Sequence, residues 1–290
     1  MVSLLLDCHE LAARLATGDP PVVIDVRWAL GGPSGAADFR KGHIPGAHFV
    51  DLDDELSAPP GQGRHPLPDA ASFGEAMRRH GVDQSRPVVA YDAATATSAA
   101  RAWWLLRYFG HPNVALLDGG YAAWIAAGLP VEEGDDRDPH PGRFAPIPGG
   151  MPLLDADGAA ALARSGVLID ARAPERFRGE AEPVDPVRGH IPHARNLPAQ
   201  RTEHPDGTFL SPDALRERYA AVGATSGKPV AVYCGSGVVA TQGVFALGLA
   251  GIDAALYAGS WSEWITDLAR PIEVGDPPHS RGGGARPSKK

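Results

Sequence analysis

Cysteine is nearly absent from the chain: Cys8 and Cys234 are the only two among 290 residues. That excludes a disulfide framework and a zinc site built on paired cysteines. There is no C-x-x-C pair, so thioredoxin-type dithiol chemistry is excluded too. Net positive charge is also lacking. The formal charge is -8, whereas a nucleic-acid partner needs a basic face to neutralise phosphates. A small anion is not excluded, because two local arginines can oppose the global sign. Nor is there a long apolar run. The opening "MVSLLLDCHELAARLATG" has no basic stretch ahead of its leucines, and Asp7 and His9 break the pattern. It reads neither as a signal peptide nor as a membrane span. The expectation is a cytoplasmic protein with no membrane or nucleic-acid partner, in a reducing compartment.

What is present is an internal repeat. "VVIDVR" (Val22 to Arg27) recurs as "VLIDAR" (Val167 to Arg172), and "KGHIPGAHFVDL" (Lys41 to Leu52) as "RGHIPHARNLPA" (Arg188 to Ala199). "RPVVAYDAATATSAARAWWLL" (Arg86 to Leu106) matches "KPVAVYCGSGVVATQGVFALG" (Lys228 to Gly248), and "LLDGGYAAWIAAGLP" (Leu116 to Pro130) matches "LYAGSWSEWITDLARP" (Leu256 to Pro271). Four segments in one order point to a duplicated domain. Short β-branched runs at Val22–Val26, Val88–Tyr91, Val114–Leu117, Val167–Asp170 and Val230–Tyr233 suit strands buried on both faces of a parallel sheet. Helical patterns such as Ala99–Phe109 and Ala240–Ala250 separate them as crossovers. The expected fold class is therefore α/β, with two tandem domains, each a mainly parallel sheet flanked by helices on both faces. The expected boundaries are 1–133 and 151–276. A Pro-, Gly- and charge-rich linker covers 134–150, and a polar, Gly-rich and disordered tail covers 277–290.

Within that frame Cys234 closes a strand and opens a Gly-rich turn into a helix, where α/β sheets bind ligands. Gly235 and Gly237 permit backbone geometries that turn successive N–H groups inward to an anion. The N-terminus of the following helix adds partial positive charge, and both effects favour thiolate over thiol. Cys234 is thus the candidate nucleophile. Cys8, in an amphipathic segment with no such turn, reads as a small core hydrophobe.

The stretch "CGSGVVA" resembles the active-site loop of the rhodanese superfamily, and "DVRWALGG", "GHIPGAHFVDLD", "LLDGGYAAW" and "ERFRGE" before "GHIP" are similar to further segments of tandem-domain members. The resemblance implies a sulfurtransferase whose catalytic cysteine lies in the second copy. The first copy has Asp92 at the matching position, which cannot carry sulfane sulfur, and is implied to be catalytically inactive. The implied reaction is double displacement. The Cys234 thiolate takes sulfur from a small anionic donor as a persulfide, and an acceptor removes it: cyanide, or a thiol such as thioredoxin. No metal or organic cofactor is implied. The active-site loop would be Gly235, Ser236, Gly237, Val238 and Val239.

Substrate choice rests on the loop. Thiosulfate-preferring members carry a cation just after the cysteine, whereas Gly235 and Ser236 are neutral, as in 3-mercaptopyruvate sulfurtransferases. Thiosulfate:cyanide transfer, and a persulfide carrier with little free turnover, are the alternatives. Arg176 and Arg178 of "ERFRGE" are the candidates for binding the donor anion, sharing a face if the segment is extended. His43 matches a family histidine that faces the cleft. Its repeat, His190, suggests instead a duplicated structural turn, the reading expected for His190. Asp38 reads as a surface carboxylate. Val239 stands where the family commonly has Thr, with Thr241 one step inside the helix, and Asp185 stands where mercaptopyruvate enzymes often have a second arginine. A Cys-dependent phosphatase is excluded because nothing between Cys234 and Thr241 is basic.

Overall fold

The computed structural model describes residues 4–135 and 140–276; the proposed tail 277–290 lies outside them. The first half runs β1 (Leu5–Leu6), α1 (Cys8–Leu15), β2 (Val22–Asp25), α2 (Ala36–Lys41), β3 (Ala47–Phe49), α3 (Leu52–Glu55), α4 (Ala70–Arg79), β4 (Val88–Tyr91), α5 (Thr97–Tyr108), β5 (Val114–Leu117) and α6 (Gly120–Ala126). The second half runs β6 (Leu153–Leu154), α7 (Ala156–Ser165), β7 (Val167–Asp170), α8 (Pro174–Phe177), β8 (Arg195–Asn196), a 3-10 turn at Ala199–Thr202, α9 (Pro212–Ala221), β9 (Val230–Tyr233), α10 (Val239–Leu249), β10 (Ala255–Tyr257) and α11 (Ser260–Trp264).

The duplication is visible in the topology. One sheet has the order β1-β5-β4-β2-β3, the other β6-β10-β9-β7-β8, and every pairing among the named strands is parallel. Registers match as well: Val22 lies opposite Val88, and Val167 opposite Val230. All four residues of β2, β4, β7 and β9 are buried, because helices cover both faces. Asp7, Asp51, Asp69, Asp155 and Ser211 start α1, α3, α4, α7 and α9, each accepting from free N–H groups of its helix's first turn.

The halves are not independent. One hydrophobic cluster runs through both, joined where α5 meets α10, with Trp103 edge-on to Phe245 at 4.9 Å between centroids. Two smaller clusters fill the outer faces of the sheets. Helix α10 is apolar nearly all round because it lies between its own sheet and α5. The segment after residue 140 is laid against the first half, with Phe144 buried on Phe73. Gly142 and Gly150 pass so close to the carbonyls of Val82 and Arg107 that neither position has room for a Cβ. No helix among the described residues is long and apolar enough to cross a membrane.

Candidate active site

Strand β9 is the middle strand of its sheet, and Cys234 is the first residue beyond it, placed where β9 meets the interface between the halves. The loop is held to the β10–α11 turn by its backbone. Cys234 N–H donates to Ser260 Oγ at 3.0 Å, and the carbonyls of Cys234 and Gly235 accept from Trp261 N–H at 3.0 Å and Ser262 N–H at 2.8 Å. Gly237 N–H points inward and donates to Cys234 Sγ at 3.1 Å. Gly237 has φ +82°, and a Cβ there would run into the carbonyl oxygen of Ala258. The turn thus needs glycine on both grounds.

Gly235 serves another purpose. Its φ is not in the left-handed region; what it gives is room. A Cβ at that position would stand 2.9 Å from Arg64 Nη2 and 3.6 and 3.7 Å from Arg176 Nη2 and Nη1. Two guanidinium groups, one from each half, therefore lie over the loop. Arg176 is held by Glu182, with Nη2–Oε1 at 2.7 Å, and by Asp185 Oδ2 at 3.0 Å. Contacts with Arg176 and with the backbone N–H groups of Val184 and Asp185 pull the Glu182 carboxyl below its usual range, against the opposing effect of burial.

Two expected binding residues are not brought to Cys234. The segment 174–177 is a helix, not extended, so Arg178 diverges from Arg176 and pairs with Glu180 at 2.7 Å on the surface. His43 is buried inside its own half, stacked on Phe39 at 3.8 Å with Nδ1 2.9 Å from the Phe39 carbonyl, while its backbone bridges to Glu132. His190 repeats this arrangement with Phe177 and Glu273. Both histidines therefore fix equivalent turns, and His43 does not face the thiol. Val239 begins α10, beyond Val238 at its cap, and Thr241 directs its hydroxyl to the Val238 carbonyl at 2.6 Å instead of toward sulfur. Asp38 is exposed and paired with Lys41. Cys8 is buried, which pushes its thiol pKa up.

The residues that sequence reasoning missed come from the first half. Ser236 Oγ lies 2.7 Å from His65 Nδ1, and His65 Nε2 lies 3.2 Å from Asp53 Oδ1. Trp28 Nε1 donates to the other oxygen of Asp53 at 2.9 Å and sets its indole edge-on to His65. Burial lowers the His65 pKa, and Arg101 and Arg64 push it further down against the pull of Asp53. The ring is therefore neutral near pH 7. With its Nε2–H directed at the Asp53 carboxylate, Nδ1 is left to accept the Ser236 hydroxyl proton.

Arg101 on α5 is fully buried and donates to the carbonyls of Leu56 (3.2 Å), His65 (3.0 Å), Pro66 (3.3 Å) and Gly237 (3.4 Å). It has no carboxylate partner among the described residues. Burial pushes its pKa down to about 10, opposed by the adjacent Cys234. By contrast, Arg64, Arg172 and Arg176 are all matched by carboxylates, those of Asp170, Glu182 and Asp185. Arg101 is therefore the uncompensated positive charge beside the thiol.

The loop of the first half shows what such a turn can hold. The Asp92 carboxylate, 4% exposed, accepts from the backbone N–H groups of Ala94, Ala96, Ser98 and Ala99 at 3.0 to 3.2 Å and from Ser98 Oγ. Every partner is a donor, so the loop cradles an anion supplied by its own side chain. A cavity of about 740 Å³ lies beside this loop, lined by Ala94, Thr95, Glu203 and His204 among others. Cys234 is not among its lining residues.

A model of the rhodanese-like domain matches residues 7–127 and 155–267. A Pseudomonas aeruginosa protein, named as a probable 3-mercaptopyruvate sulfurtransferase, is 48% identical over 94% of this chain and 98% of its own. A Mycobacterium tuberculosis protein whose name proposes it as the thiosulfate sulfurtransferase SseB is 46% identical over 93% of this chain and 97% of its own. The crystal structure of SseA from Escherichia coli, described as having the rhodanese fold of 3-mercaptopyruvate sulfotransferases, superposes with a TM-score of 0.81. It is 33% identical and covers 90% of this chain and 99% of that one.

Proposed function

We propose that this chain, which belongs to the rhodanese family and is a sulfurtransferase, takes sulfur from 3-mercaptopyruvate onto Cys234 as a persulfide and passes it to a thiol or cyanide. In the first step the Cys234 thiolate attacks the donor sulfur. The new S–S bond forms as the donor's C–S bond breaks, and its electron pair leaves with the carbon as the enolate of pyruvate, which takes up a proton. In the second step the acceptor attacks the outer sulfur, and Cys234 leaves as thiolate. Splitting the transfer in this way is covalent catalysis.

Each step needs anionic sulfur stabilised in a water-poor site, where fixed donors and charges act most strongly. The thiol is 2% exposed, which suits a small donor. Gly237 N–H already meets Sγ, and Arg101 supplies buried positive charge. The anion cradle around Asp92 supports the same use of the matching N–H groups around Cys234.

The observation that carries the choice of donor is the Ser236–His65–Asp53 chain. An enolate leaving group needs a proton, and a hydroxyl that donates to a neutral histidine can relay the donor's thiol proton to that histidine and return it to the enolate. Sulfite, which leaves from thiosulfate, needs none. Thiosulfate remains the second reading, favoured by the two guanidinium groups over Gly235, which would also suit a dianion. Steady-state rates with both donors, on wild type and on Cys234→Ser, test the reading. Higher kcat/KM with mercaptopyruvate and no turnover in the serine variant are expected; faster turnover with thiosulfate would sink the donor choice.

A further inference from the structure

We infer that Arg64, from the first half, is the second anchor for the donor's carboxylate opposite Arg176, and that Asp185 is the positioning residue that holds both guanidinium groups in place. This rests on the reading of a carboxylate-bearing donor. In sequence, an acid at 185 argues against carboxylate binding. In space it does the reverse. Asp185 spends one oxygen on Arg64 Nη1 and the other on Arg176 Nη2, and its side chain is 2% exposed, so its charge is consumed and turned away from the loop.

The donors left over decide the assignment. Arg64 Nε is buried without a hydrogen-bond partner, so Asp185 satisfies only part of this guanidinium. Among the described residues, Arg64 Nη2 and Arg176 Nη1 also make no hydrogen bond, since Arg176 uses Nε and Nη2 on Glu182 and Asp185. Both unused groups lie over Gly235, one residue from Cys234. Arg64 is itself fixed, its backbone N–H donating to Ser262 Oγ at 3.1 Å across the interface. A carboxylate lodged between the two unused groups would leave the donor's thiol carbon beside the nucleophile. Glycine at 235 is what permits that approach.

The test is kinetic, on the full chain. Arg64→Ala is expected to raise KM for 3-mercaptopyruvate by about 10- to 100-fold, the usual scale for losing a hydrogen bond to a charged group, with kcat little changed. Inhibition by pyruvate should weaken by the same factor. Mercaptoacetone, which keeps the ketone and thiol but has no carboxylate, should be used equally by wild type and variant. Arg64→Lys, which preserves charge and folding but not the planar fork, should fall between. Asp185→Asn, which keeps the side chain's size but removes the charge that holds both guanidinium groups, should raise KM for 3-mercaptopyruvate in the same direction and leave mercaptoacetone turnover unchanged. An unchanged KM and pyruvate inhibition in Arg64→Ala, or an equal loss with mercaptoacetone, would overturn the assignment. A wild-type protein that does not use mercaptopyruvate would overturn the donor reading instead, before any variant is compared.

Discussion

Ser236 is a neutral residue with a neutral partner, and its value to the site depends on the hydrogen bond to His65 at 2.7 Å. If it serves the enolate, Ser236→Ala should lower kcat with mercaptopyruvate by about 100-fold, within the range of general acid–base effects, and leave thiosulfate turnover nearly unchanged. His65→Gln should do the same, and the double variant should be no worse than either, because the two act as one unit. Equal losses with both donors would show that the serine only supports the loop. At this scale the sequence was uneven. Cys234, Ser236 and Arg176 could be found because a strand end, a Gly-rich turn and a familiar segment mark them. Arg64, His65, Asp53 and Arg101 could not, because they reach the thiol across the interface and no spacing along the chain connects them to it. The available signal was the repeat itself: aligning Gly63 with Gly207 puts Arg64 opposite Thr208, and both segments reach the other half's loop.

Elements were more legible than contacts. The buried β-branched runs became β2, β4, β5, β7 and β9 with few changes, since a run buried on both faces is its own signature. The segment after Ala173 was not legible, because four helical residues behind a proline at the first position leave little periodic pattern; as a helix it separates Arg178 from Arg176. Loops 92–96 and 234–238 are the clearest comparison between the halves. One encloses a carboxylate, the other a thiol. Asp92→Asn should therefore destabilise the protein by about 1–3 kcal/mol, because the amide nitrogen would face backbone donors that now meet an acceptor. A denaturant midpoint checks this. An unchanged midpoint would mean that the cradle does not depend on its anion.

At the scale of the molecule, the two halves share a core through α5 and α10, and the site takes residues from both. The first half brings His65, Asp53, Arg64 and Arg101 to the Cys234 loop, and on the proposed reading that is its part in the reaction. The interface also contains a titration. Burial beside the Asp92 and Asp118 carboxylates pushes the Glu203 pKa from 4.5 up to about 9. The folded protein thus holds a proton that the unfolded chain releases near 4.5, so this contribution to stability is full below that value and is lost as pH rises through about 9. Unfolding midpoints should fall between about pH 5 and 9, and Glu203→Gln should flatten the slope. A slope identical in the variant would place the titration elsewhere. Mass spectrometry after mixing the protein with 3-mercaptopyruvate and no acceptor tests most directly whether Cys234 carries the sulfur. One added sulfur atom is expected on the peptide containing Cys234, removed on adding cyanide and absent in Cys234→Ser. An unmodified Cys234 peptide during turnover, or sulfur on Cys8, would contradict it.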